Sequence, residues 1–142
     1  MNQSKMQSIQ AYFARIKAPK LYKDRKEGPI LPNTITAITN SITNRWLINL
    51  FYEGSFEISP GRRWVEIYTY GLHRTTFNHV IRAWQYQGTT LSIEPAWKLF
   101  RLDRIRSTAP LTTKVFNKPR FLFNPDDEDM SLIIQVVKFP DV

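Results

Sequence analysis

Hydrophobic and polar positions change period along this chain, and the changes divide it. Residues 3–17 carry Met6, Ile9, Phe13 and Ile16 at helical spacing, which predicts a short amphipathic helix. Ala18-Pro19 should end it, because the residue before a proline is pushed out of the α region. Lys20 to Lys26 is charged, and Glu27-Gly28-Pro29 with Pro32 reads as a linker or extended arm. A second helical pattern starts at Asn33 or Thr34, either of which can cap it. It runs to about Asn44 with Ile35, Ile38 and Ile42 on one face. Its threonines are poor helix formers, so tertiary packing has to hold it.

From Arg45 the period drops to two. Trp46, Ile48, Leu50 and Tyr52 alternate with Leu47, Asn49 and Phe51, which reads as a strand buried on at least one face. Over Arg63–Tyr70, Val65 and Ile67 oppose Trp64, Glu66, Tyr68 and Tyr70, and Gly71 marks a bulge or a sharp bend. Over Phe77–Tyr86, His79, Ile81 and Ala83 oppose Val80, Arg82, Trp84 and Tyr86, ahead of a turn signal at Gln87-Gly88-Thr89-Thr90. A strand from Trp97 to Ile105 and a last one from Leu132 to Phe139 complete the series. The acidic run Asp126-Asp127-Glu128-Asp129 lies before the last strand. It lacks the alternating oxygen ligands of a calcium loop and reads as a solvated turn. Short strands without intervening helices predict a mainly β (α+β) fold, a small antiparallel sheet or barrel preceded by a short helix. The 142 residues suit one domain over 33–142, with 1–32 as a basic N-terminal arm.

Composition narrows the setting. The absence of cysteine excludes a disulfide framework and thiolate zinc sites, and favours a reducing compartment. No run approaches the roughly 20 apolar residues of a spanning helix, and the N-terminus lacks the apolar block of a secretory signal. A cytoplasmic protein is expected, or a virion-associated one if the source is a phage, with no membrane partner. The net charge of +8 is uneven: residues 1–30 carry seven Lys/Arg against two acids, and residues 60–106 carry eight against three. Clustered basicity of this kind suits polyanions, nucleic acid first.

Catalytic signals are sparse. The five glycines form neither a P-loop nor a dinucleotide fingerprint. His73 and His79 sit six residues apart across an expected bend, a poor metal pair. Asp103, between Arg101 and Arg104, reads as an ion-pair partner and not as a base. A protein that is not an enzyme, without metal or cofactor, is expected. Binding has more support. Arg62, Arg63, Arg74, Arg82, Arg101, Arg104 and Arg106 are interleaved with Trp64, Tyr68, Tyr70, Trp84, Tyr86 and Trp97. Arginine's planar fork suits phosphate, and aromatic platforms hold bases with about 1–3 kcal/mol of stacking each. The same aromatics would also serve as the core of a small barrel. Arg63, Arg82 and Arg101 take corresponding places on three consecutive strands, which predicts a shared anion-binding face.

The order of these strings resembles a known family. Arg63-Trp64-Val65-Glu66-Ile67-Tyr68, then Tyr70-Gly71-Leu72, Val80-Ile81-Arg82-Ala83-Trp84 and the closing Phe100-Arg101-Leu102-Asp103-Arg104-Ile105 are similar to the WYL domain over roughly residues 34–106. His79-Val80-Ile81 stands where the family carries its Trp-Tyr-Leu. The resemblance implies an Sm/SH3-like small β-barrel acting as a regulatory, ligand-sensing module, here without a helix-turn-helix domain. It implies a nucleic-acid or nucleotide ligand held by Tyr52, Arg63, Tyr70, His73, Arg82, Arg101 and Arg104. The alternative is a structural or assembly protein of a phage or mobile element. Its arm and edge strands would then join a larger complex, a homo-oligomer or a protein partner.

Overall fold

A computed structural model describes residues 26–55, 58–86 and 96–140, so the helix expected over 3–17 and the turn at Gln87–Thr90 fall outside it. One helix, α1 (Thr34–Asn44), precedes six strands: β1 (Trp46–Tyr52), β2 (Gly61–His73), β3 (His79–Gln85), β4 (Ala96–Arg101), β5 (Ile105–Val115) and β6 (Met130–Val136). None of the described helices is long and apolar enough to cross a membrane.

α1 stands where the pattern predicts it and buries Ile38 and Ile42 of the expected face, with the buried stripe shifted away from Ile35. Ile38 and Ile42 are fully packed, whereas Ile35 is 38% exposed and Thr34 and Ser41 take the remaining inward positions. Positions 34, 38, 41 and 42 make one stripe about 100° wide at 3.6 residues per turn, and Ile35 lies about 20° beyond its Ile42 edge. Asn33 occupies the cap position in the left-handed region (φ 73°) without a side-chain cap bond. The other end is held by tertiary contacts. Arg45 sits at φ 54°, its carbonyl accepts the Phe116 N–H at 2.9 Å, and its guanidinium donates to the Phe116 and Lys138 carbonyls at 3.1 and 3.3 Å.

The sheet is built on β2. Its first half pairs antiparallel with β1, from Tyr52↔Gly61 to Leu47↔Glu66. From Thr69 to His73 the partner is β6. The opposite edge carries β3, with a register shift between Ile67 and Thr69. The strand order is β4-β3-β2-β1-β5, with β6 off this path. β4 and β5 do not pair, so the sheet is open and the expected closed barrel is not formed. Yet only the 3-10 turn Leu102–Arg104 separates those outermost strands, and four residue steps reach at most about 14 Å. The two edges therefore come together at this corner, and the sheet curls toward closure without a closing ladder. The strand expected through Ile105 ends at Arg101 for the same reason. β5 was not legible in the pattern: it contains Pro110, and a strand tolerates proline at an edge such as this.

Both faces of the sheet are covered, over different stretches. On the inner face, Ile38 and Ile42 of α1 join Ile48, Leu50, Tyr52, Val65, Ile67, Ile81, Ala83 and Phe100 in the core. On the outer face, residues 116–139 fold back over Tyr68. Its ring centroid lies 4.8 Å from Trp97, 5.2 Å from Phe116 and 4.9 Å from Phe123.

Candidate functional site

The seven residues implied by the resemblance do not converge on one surface. Val65 pairs with Gln85 and Ile81 with Phe100, so Arg63 belongs to the inner face with them. Arg82 pairs with Leu99 and Arg101 with Val80, on the opposite face. The three arginines therefore do not form a shared face.

Each is also engaged within the fold. Arg63 is 1% exposed; it donates to Gln85 Oε1 at 2.8 Å and to the Ser59 carbonyl, and lies 6.0 Å from the Phe100 ring centroid. No described carboxylate pairs with it. Burial lowers its pKa, and its Nε and Gln85 Nε2 are buried without hydrogen-bond partners. Unmatched buried donors cost about 1–3 kcal/mol each, which the surrounding core must offset. Arg82 donates to both Asp127 oxygens at 2.7 and 3.1 Å and to Asp129 at 2.5 Å. The acidic run is thus only partly the solvated turn its composition suggests: Asp127 is 8% exposed. Burial alone would raise the Asp127 carboxyl, but the Arg82 guanidinium outweighs it and holds it below the usual carboxylate range. Arg101 grips Asp103 at 2.9 and 2.6 Å, as the sequence expects, and Asp103 also accepts the Gly28 N–H at 2.8 Å. Arg104, 5% exposed, reaches Glu53 at 3.4 Å and the Gly54 carbonyl at 3.2 Å.

The remaining three are structural in the same sense. Tyr52 is fully buried and its hydroxyl accepts the Arg101 N–H at 3.0 Å, tying β1 to the closing corner. Tyr70 Oη lies 2.5 Å from His79 Nδ1. His73 Nδ1 accepts the Thr75 N–H at 3.2 Å at the β2–β3 turn. Burial raises the pKa of Tyr52, Tyr68, Tyr70 and Tyr86, with Glu66 adding to the effect at Tyr68 and Tyr86. Their neutral phenols stabilise the fold fully below the ordinary value near 10. That contribution is lost as pH rises toward the raised folded values. In an alkaline titration followed by tyrosinate absorbance, these four should ionise in step with unfolding. Ionisation near the ordinary value while the fold stays intact would contradict this packing.

What the structure leaves open is another surface, the outer side of β1 and the first half of β2. Phe51 pairs with Arg62 and Asn49 with Trp64. Phe51 is 38% exposed and Trp64 40%. The Arg62 guanidinium lies 5.7 Å from the Phe51 ring centroid and donates to Asn49 Oδ1 at 3.1 Å. The stripe continues past Trp64, whose carbonyl accepts the Tyr86 N–H at 2.8 Å. There the Arg120 guanidinium sits 5.2 Å from the Tyr86 ring and 5.3 Å from Trp84. It is held by Glu66 at 3.2 and 3.0 Å. Strand alternation already put Trp64 and Phe51 opposite the core residues, so that signal was available. Arg120 carried none, because it lies 34 residues from Tyr86.

No protein-family model matches the chain, and no curated protein matches it. Among solved structures the chain is similar to proteasome accessory factor B/C (PafBC) of Arthrobacter aurescens, with 19% identity and a TM-score of 0.52 over 66% of this chain. The matched region spans 13% of the PafBC chain. PafBC contains a WYL domain, and at this identity the likeness concerns fold alone. The chain has a WYL-like fold, realised as an open antiparallel sheet with one packed helix.

Proposed function

We propose that the protein is a non-enzymatic binding and regulatory module whose ligand is a nucleic acid or nucleotide, seated on the outer stripe of β1 and β2. The observation that supports this reading is the pair of half-open rings, Phe51 and Trp64, flanking Arg62 on one sheet face. Flat rings at this exposure accept bases whatever their identity, and an adjacent guanidinium suits phosphate. The net charge of +8 raises the local concentration of any polyanion. Arg63, Arg82, Arg101 and Arg104 serve the fold, each held by carboxylates, an amide or backbone carbonyls. The resemblance to WYL domains adds the regulatory role.

Fluorescence anisotropy with single-stranded DNA, single-stranded RNA and a mononucleotide, across a salt series, tests the reading. Trp64→Ala and Arg62→Ala should each weaken binding by about 1–3 kcal/mol, roughly 5- to 150-fold. Affinity should fall steadily with salt. Both positions are exposed, so the variants should unfold like the parent chain. Unchanged affinity in both variants, or no binding at low salt, would sink the proposal.

A further inference from the structure

Phe121 and Leu122 are the most exposed large hydrophobic residues described, at 83% and 73%. They sit on a pinned turn and not on a loose one. The Phe123 N–H bonds the Arg120 carbonyl at 3.1 Å, and the Trp97 indole N–H donates to the Phe121 carbonyl at 2.9 Å. The Arg120 N–H donates to Tyr68 Oη at 3.1 Å. Leu122 itself is held at φ 72°, a conformation that L side chains other than asparagine or aspartate rarely adopt. A fixed backbone presents the two side chains at little entropic cost to a binding partner. Beside the turn opens a cleft of about 260 Å³, lined by Trp97, Leu122 and Phe123 together with Arg82 and three acids, Asp127, Glu128 and Asp129.

We infer that this face pairs with a second copy of the chain, each Phe121 entering the other copy's cleft. Leu122 lines the cleft and Phe121 precedes it, so the projection and the hollow are contiguous on one patch. A patch holding both complementary parts is self-complementary about a two-fold axis, and such contacts close as dimers. Charge agrees with the shape. Lys118 is exposed three residues before Phe121, while Asp126 and Glu128 are exposed beside the cleft. Two-fold pairing sets the lysine of one copy toward the acids of the other. Those acids would repel a phosphate, and Arg82 is already held by Asp127 and Asp129. The cleft therefore suits an aromatic side chain flanked by a base, which is what the turn itself supplies. The inference stands apart from ligand binding on β1 and β2.

Sedimentation velocity of the full chain over a wide concentration series tests it. The mass should rise from one copy to two with concentration, and Phe121→Ser should abolish the dimer without changing thermal unfolding. Lys118→Glu and Glu128→Lys should each weaken dimerisation several-fold, and combining them should restore it. A monomer at every concentration would overturn the inference. So would a Phe121→Ser chain that dimerises like the parent, or a double variant no better than either single one.

Discussion

Glu66→Ala is expected to destabilise the fold by about 3 kcal/mol, the low end of what a broken buried ion pair costs. The carboxylate is 2% exposed and receives four donors: the Tyr68 hydroxyl at 2.8 Å, the Tyr86 hydroxyl, and Arg120 at 3.2 and 3.0 Å. Two of those donors come from β2 and the end of β3, and the others from the segment that covers the outer face. Removing the acceptor leaves the Tyr68 hydroxyl buried and short of a partner. Arg120 is better placed to recover, since its side chain is 39% exposed and can turn toward water. That partial rescue is why the low end applies. Glu66→Gln should cost less, because a neutral amide oxygen still accepts one hydroxyl. Denaturant midpoints would check both, and limited proteolysis should cut the alanine variant first near Phe121. A loss below about 1 kcal/mol for Glu66→Ala would mean that ring packing around Tyr68 holds the covering segment by itself.

The second large effect belongs to Gly71. A Cβ there would land on the Leu132 carbonyl oxygen and 2.7 Å from Met130 Sδ, with Ile133 Cα at 3.3 Å. No left-handed φ is involved, so the penalty is steric: β6 crosses too close to β2 for any side chain. The sequence reads this glycine as a bulge or bend, and a register shift in the β2–β6 ladder does fall between Tyr70 and Gly71. Close approach is the stronger requirement. Gly71→Ala should cost about 1–3 kcal/mol, as overpacking does when backbone must move. Hydrogen exchange should localise the damage to β6 amides, leaving the β2–β3 ladder protected. Gly28→Ala is the control. Its Cβ would meet Asp103 Oδ2 at an ordinary 3.7 Å, so stability should hardly change. Equal losses in both variants would show that chain flexibility, not contact with β6, sets the cost.

Local periodicity alone located most of the scaffold. Helical spacing set α1 at Thr34–Asn44, and two-residue alternation set β1, β2 and β3. It also grouped Ile48 with Leu50, Val65 with Ile67 and Ile81 with Ala83 on shared faces, and all six are buried. Side-chain direction follows from backbone geometry one residue at a time, so a single strand carries that information in itself. It equally put Trp64 and Phe51 on the faces opposite those residues. Arg101 meets the neighbouring Asp103 that the local sequence offers, but only the tertiary structure decided what Arg63, Arg82 and Arg120 do. Arg63 meets Gln85 across 22 residues, Arg82 meets Asp127 across 45, and Arg120 meets Glu66 across 54. Alternation says which face a guanidinium leaves from but not which carboxylate the rest of the chain brings to it. The same limit hid the open sheet, since whether the edge strands β4 and β5 pair depends on curvature summed over five strands and on no single stretch of sequence.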